Sequence, residues 1–107
     1  MVTELTDSNF NSTVQGAKVP VLVDFSATWC GPCKALAPTI GKVAEEYKSR
    51  MEVYKVDIEQ APQSSEAFEI VSVPTCIFFK GGKEVERFTG NADLRTIKSY
   101  VDRVLAR

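Results

Sequence analysis

The sequence predicts an α/β fold, and three observations lead there. Helical and strand patterns alternate along the chain. One segment, Val19 to Phe25, is apolar at almost every position, as in a strand covered on both faces. A strand, a helix and a second strand then follow in order, which makes a βαβ unit with a right-handed crossover. The 107 residues fit a single domain, 1–107. A domain of that length buries roughly 65% of the surface its unfolded chain exposes.

The elements are justified in order. A short strand can precede Thr6. Thr6 or Asp7 can cap a short helix, with Gly16 as its stop. Pro20 suits the beginning of the first long strand, where a missing ladder donor does least harm. From Cys33 to about Arg50, Leu36, Ala37, Ile40, Val43, Ala44 and Tyr47 trace one helical face. Pro38 lies within that helix and should kink it. Val53–Ile58 reads as a second strand, and Pro62 begins a short helix ending near Phe68. Strand patterns at 75–80 and 83–88 flank Gly81-Gly82, the signature of a tight hairpin. Asn91 can cap a last helix carrying Leu94, Ile97, Val101, Val104 and Leu105.

Composition removes several function classes. Thirteen basic and fourteen acidic residues leave a net charge of -1. That gives no basic field for nucleic acid. No apolar run approaches the ~20 residues that span a bilayer, so no membrane partner is expected. There is no histidine, which excludes His-based triads and His-containing zinc sites. Glu4 and Asp7 interrupt the first ten residues, and no signal peptide is visible. The expected compartment is cytoplasmic, although a mature organelle protein would look the same. Three cysteines in such a chain suggest thiol chemistry in a reducing environment rather than a disulfide scaffold.

Cys30-Gly31-Pro32-Cys33 sits between a buried strand and a long helix. A helix's leading N–H groups and its dipole stabilise an anion. The Cys30 thiolate is therefore favoured and expected to face solvent, while Cys33 points toward the core. A drop in thiol pKa from ~8.5 to ~7 raises the thiolate fraction at pH 7 about sixteen-fold but lowers nucleophilicity about five-fold. The net gain is only about three-fold. Most of the advantage must come from making the second displacement intramolecular. A structural staple, a zinc half-site and two inert buried thiols compete with this reading. The loop is too small for the first, and the ligands are too few for the second. The Gly-Pro insert at a helix start argues against the third.

Trp29-Cys30-Gly31-Pro32-Cys33-Lys34 after Val23-Asp24-Phe25, with Pro38, Val73-Pro74-Thr75 and Gly90 following in order, resembles the thioredoxin family over essentially the whole chain. The resemblance implies a thioredoxin fold: a central mixed sheet of four or five strands with helices on both faces. It implies a protein-disulfide reductase with a redox-active Cys30–Cys33 disulfide and a role in cellular redox balance. Cys30 is then the nucleophile and Cys33 the resolving thiol, with Gly31 and Pro32 in support. No cofactor or metal is expected to be bound. Reducing equivalents are expected from a thioredoxin reductase, NADPH- or ferredoxin-linked. The expected targets are disulfide-containing proteins such as peroxiredoxins, methionine sulfoxide reductase and ribonucleotide reductase, and the expected state is a monomer. A disulfide oxidase or isomerase and a redox-independent binding subunit are the rival readings. Gly31-Pro32 speaks against the first, because a basic residue is usual between those cysteines.

The surrounding residues carry further expectations. Asp24 is either an exposed break in its strand or a buried carboxyl that accepts a proton from Cys33, the role the resemblance implies. Lys55 is either a surface lysine or the partner of Asp24. Pro74 would be trans by default; the resemblance implies a cis bond packed against the cysteines. That geometry offers the Val73 backbone to an extended substrate and keeps metals off the thiols. Trp29 is either a core aromatic or a platform beside the site. Gly90 is either a turn residue or, with Trp29, Val73 and Pro74, the edge of a substrate-docking patch. Cys76 in its strand is a small buried hydrophobe or a second redox centre.

Overall fold

The structure is a computed structural model describing residues 2–107. It contains β1 (Thr3–Leu5), α1 (Phe10–Gly16), β2 (Val21–Ser26), α2 (Gly31–Glu46), β3 (Glu52–Asp57), α3 (Pro62–Ala67), β4 (Thr75–Lys80), β5 (Lys83–Thr89) and α4 (Leu94–Ala106). The five strands form one mixed sheet in the order β1-β3-β2-β4-β5. β3 pairs parallel to both β1 and β2, while β4 pairs antiparallel to β2 and β5. β2 is central, as its almost wholly apolar run predicts.

Alternation along β2 and β4 feeds two cores. Leu22, Cys76 and Phe78 pack with Leu36, Ile40 and Val43 of α2 and with Ile97, Val101 and Val104 of α4. Val21, Val23, Phe25, Ile77 and Phe79 pack with Phe10 and Val14 of α1, with Ala61 and, at the edge of the cluster, with Phe68. The helices therefore lie in pairs on opposite faces. Both cores are built mainly of branched and aromatic side chains, the main source of folding free energy at ~25 cal/mol per Å² buried.

Several element ends differ from the sequence reading. α1 begins after Asn9, not after Thr6 or Asp7, and no side chain caps it. Asn9 instead accepts from the Thr6 N–H at 2.8 Å. Asp7 is drawn away to α3: its carboxylate accepts from Gln63 N at 3.1 Å, Ser64 N at 2.8 Å and Ser64 Oγ at 2.7 Å. These bonds supply the start of a helix whose own cap residue, Ala61, has no acceptor in its side chain. α2 starts at Gly31 and ends at Glu46, earlier at both ends than the apolar stripe suggests, and it keeps Pro38 inside. α4 is capped by Asp93, not Asn91; Asp93 Oδ1 accepts from Thr96 N at 2.9 Å. Gly81 and Gly82 have φ of 63° and 79°, and Lys80 pairs with Lys83 around them. A two-residue loop with both φ values positive suits glycine and matches the twist of the strands it joins.

Candidate active site

The site forms where β2 ends and α2 begins. Cys30 occupies the N-cap of α2, with Gly31 and Pro32 in its first positions. Proline is tolerated there because its missing N–H would have no intrahelical partner. The Cys30 and Cys33 sulfurs are joined as a disulfide, with Cα atoms 5.3 Å apart. Cys33 N donates to Cys30 Sγ at 3.1 Å, so a free helix amide is aimed at that sulfur.

The expected difference in exposure is absent from this disulfide form. Cys30 is 5% exposed and Cys33 4%. Both lie in a small cluster with Ala27, against which Ile58 and Val73 pack, and the Val73 carbonyl oxygen stands 3.7 Å from Cys30 Sγ. That covering explains why Cys30 does not face solvent as predicted. The asymmetry resides in hydrogen bonding: the helix-start amide addresses Cys30.

The rest of the predicted patch gathers around the pair. Trp29 is 65% exposed, so it is not a core aromatic. The Val73–Pro74 bond is cis. Gly90 N donates to Pro74 O at 2.8 Å, which brings Gly90 beside that loop with φ of 92°. Thr75 Oγ1 donates to Ser72 O at 2.8 Å and meets Thr89 Oγ1 at 3.2 Å, tying the loop to β5.

Asp24 is 4% exposed, so it is the buried carboxyl and not an edge residue. Burial pushes its pKa from 3.8 up to about 6, opposed by a hydrogen bond from Cys76 and by the charge of Lys55. Lys55 is its in-register neighbour on β3 and is exposed. The ion pairs among the described residues do not include this one. Among the described residues, the one hydrogen-bond partner of the Asp24 carboxyl is Cys76, whose Sγ donates to Oδ1 across 3.8 Å. Cys76 is fully buried, as a small hydrophobe would be, but its thiol faces a carboxylate. Sequence reading missed this contact. The available signal was a polar break in each of two buried strands; only the register shows that the breaks coincide. A pocket of about 220 Å³, lined by Val2, Asp24, Ala37, Ile40, Gly41 and Lys55, opens beside Asp24. Among the described residues, no group of three or more Cys, Asp or Glu side chains is placed to hold a metal ion, and no helix is long and apolar enough to cross a membrane.

A bonded Cys-x-x-Cys at a helix start, on a mixed five-stranded sheet flanked by helices, defines a disulfide oxidoreductase. The family model described as Thioredoxin matches residues 1–103. The chain is 41% identical over 101 residues to the thioredoxin of Alicyclobacillus acidocaldarius, covering 94% of this chain and 95% of the relative. It is 38% identical over 102 residues to thioredoxin 1 of Nostoc sp., covering 95% of each. It is 45% identical over 87 residues to the bifunctional thioredoxin reductase/thioredoxin of Mycobacterium leprae, of which the match spans only 19%. The chain belongs to the thioredoxin family. With its bonded cysteine pair it is a thioredoxin-like protein-disulfide reductase, in a family that works with thioredoxin reductase and disulfide-containing targets.

Proposed function

We propose that residues 1–107 act as one monomeric domain in which Cys30 is the nucleophile and Cys33 the resolving thiol. The Cys30 thiolate attacks one sulfur of a target disulfide, and the other target sulfur leaves as a thiolate. Cys33, losing its proton, attacks Cys30 Sγ. The second target thiolate leaves, and the Cys30–Cys33 disulfide remains. Two electrons from a reductase, NADPH- or ferredoxin-linked, restore the dithiol without a bound cofactor. The observation that carries this assignment is the Cys33 amide donating to Cys30 Sγ at 3.1 Å. The same bond stabilises Cys30 as an attacking thiolate and as a leaving group.

Asp24 accepts the Cys33 proton through water in the adjoining pocket, and Lys55 tempers its charge. A carboxyl titrating at about 6 is matched to exchange near neutral pH. Trp29, Val73, Pro74 and Gly90 dock an extended segment of the target, with Gly31 and Pro32 holding the turn. Peroxiredoxins, methionine sulfoxide reductase and ribonucleotide reductase are fitting targets in a cytoplasmic setting.

The test is insulin reduction by dithiothreitol, followed as turbidity, with iodoacetamide labelling of the reduced protein. Wild type accelerates precipitation, Cys30→Ser does not, and Cys30 labels before Cys33. Equal labelling of the two thiols, or an active Cys30→Ser variant, overturns the assignment.

A further inference from the structure

We propose that Cys76 is a positioning residue for Asp24: its thiol donates to one carboxylate oxygen and turns the other toward the open pocket. This rests on the reading of Asp24 as proton acceptor. The geometry comes from the sheet. Cys76 and Asp24 are directly opposed on β4 and β2, so their side chains leave the same face side by side. Cys76 Sγ reaches Oδ1 at 3.8 Å. Among the described residues Oδ2 has no hydrogen-bond partner, yet no buried side-chain oxygen is left unpaired. Oδ2 therefore keeps access to the pocket shared by Asp24, Ala37 and Lys55, which is roomy enough for water.

The chemistry is self-consistent. Burial and the adjacent negative charge of Asp24 hold the Cys76 thiol well above its ordinary pKa, so it stays a donor throughout the range in which Asp24 titrates. A donor to the charged form lowers a carboxyl's pKa and keeps it from rising further at this buried position. The other groups facing Asp24 are few. Lys55 faces it from β3, and Glu4 stands beyond Lys55 on β1. α2 offers apolar Ala37, Ile40 and Gly41, and Val2 closes the pocket. In the oxidised protein the α2 cysteines do not titrate.

The experiment is a carbon-13 NMR titration of the Asp24 carboxyl in oxidised wild type, Cys76→Val, Cys76→Ala and Cys76→Ser, with the pH profile of insulin reduction measured in parallel. Val and Ala remove the donor, and Ser keeps one. The Asp24 midpoint should rise by roughly half a unit or more in Val and Ala, a modest shift because a thiol is a weak donor. It should stay at or below the wild-type midpoint in Ser. The activity profile should move with it. An unmoved midpoint in Val and Ala overturns the proposal, as does an equal rise in all three variants, which would mark a packing effect. Asp24→Asn separates the two levels. If the activity profile is unchanged in Asp24→Asn, the proton-acceptor reading falls, whatever the Cys76 variants do to the NMR midpoint.

Discussion

At the scale of single residues, Asp24 is expensive to bury, and the sign of that cost is testable. Its folded pKa of about 6 exceeds the ordinary 3.8. Between those values the folded protein holds a proton that the unfolded chain has released, so stability falls as pH rises. The cost is absent below pH 3.8 and complete above about pH 6, at about 3 kcal/mol. Asp24→Asn should match wild type near pH 4 and be more stable by up to that amount at pH 7, read by urea denaturation across the range. The same variant should slow exchange above neutral pH. For the cysteines, Cys33→Ser should accumulate a covalent adduct with an oxidised target through Cys30, visible by mass spectrometry and dissolved by dithiothreitol. The cysteine pair was legible in the hexapeptide Trp29–Lys34, and the choice between a buried and an exposed Asp24 was posed by the polar break in its apolar strand. The coverage of Cys30 was not, because Ile58 and Val73 arrive from distant loops. The Asp24–Cys76 contact was equally hidden, since it depends on a register that neither strand encodes alone.

At the scale of elements, apolar patterning located β2, α2, β3 and α4, while caps, prolines and glycines pointed to the shorter elements, and the ends were set by local competition. The α2 stripe starts at Cys33 because Gly31 and Pro32 carry no apolar signal, yet both are helical. Asn91 and Asp93 are both good caps. Asp93 holds the position because its oxygen meets Thr96 N, while Asn91 bonds Ala92 N next to it. Asp93→Ala should lower the melting temperature by a few degrees, and Asn91→Ala should do much less, as calorimetry can show. The hairpin makes a sharper prediction. Gly81 sits at φ 63° with open space around its missing Cβ, so Gly81→Ala meets backbone strain alone. It should cost about 1 kcal/mol, measured as a shift in urea midpoint with unchanged slope.

At the scale of the whole molecule, the sheet positions chemistry at one end and stability in the middle. β2 and β4 are buried along nearly their full lengths, and the cysteines, Trp29, Val73, Pro74 and Gly90 gather around the Ser26 and Thr75 ends of those strands. The reacting end is thereby kept apart from the buried middle of the sheet. Reduction should nonetheless lower stability by about 2 kcal/mol, the chain-entropy value for so short a loop. Denaturation with and without dithiothreitol will measure it. One long-range feature has a practical consequence. Asp7 completes α3 from 57 positions away in sequence, so the amino-terminal stretch works as a clasp on a distant helix. A deletion that removes Asp7 should loosen the Gln63–Ser64 turn and speed amide exchange there, although every residue of α3 itself is left intact.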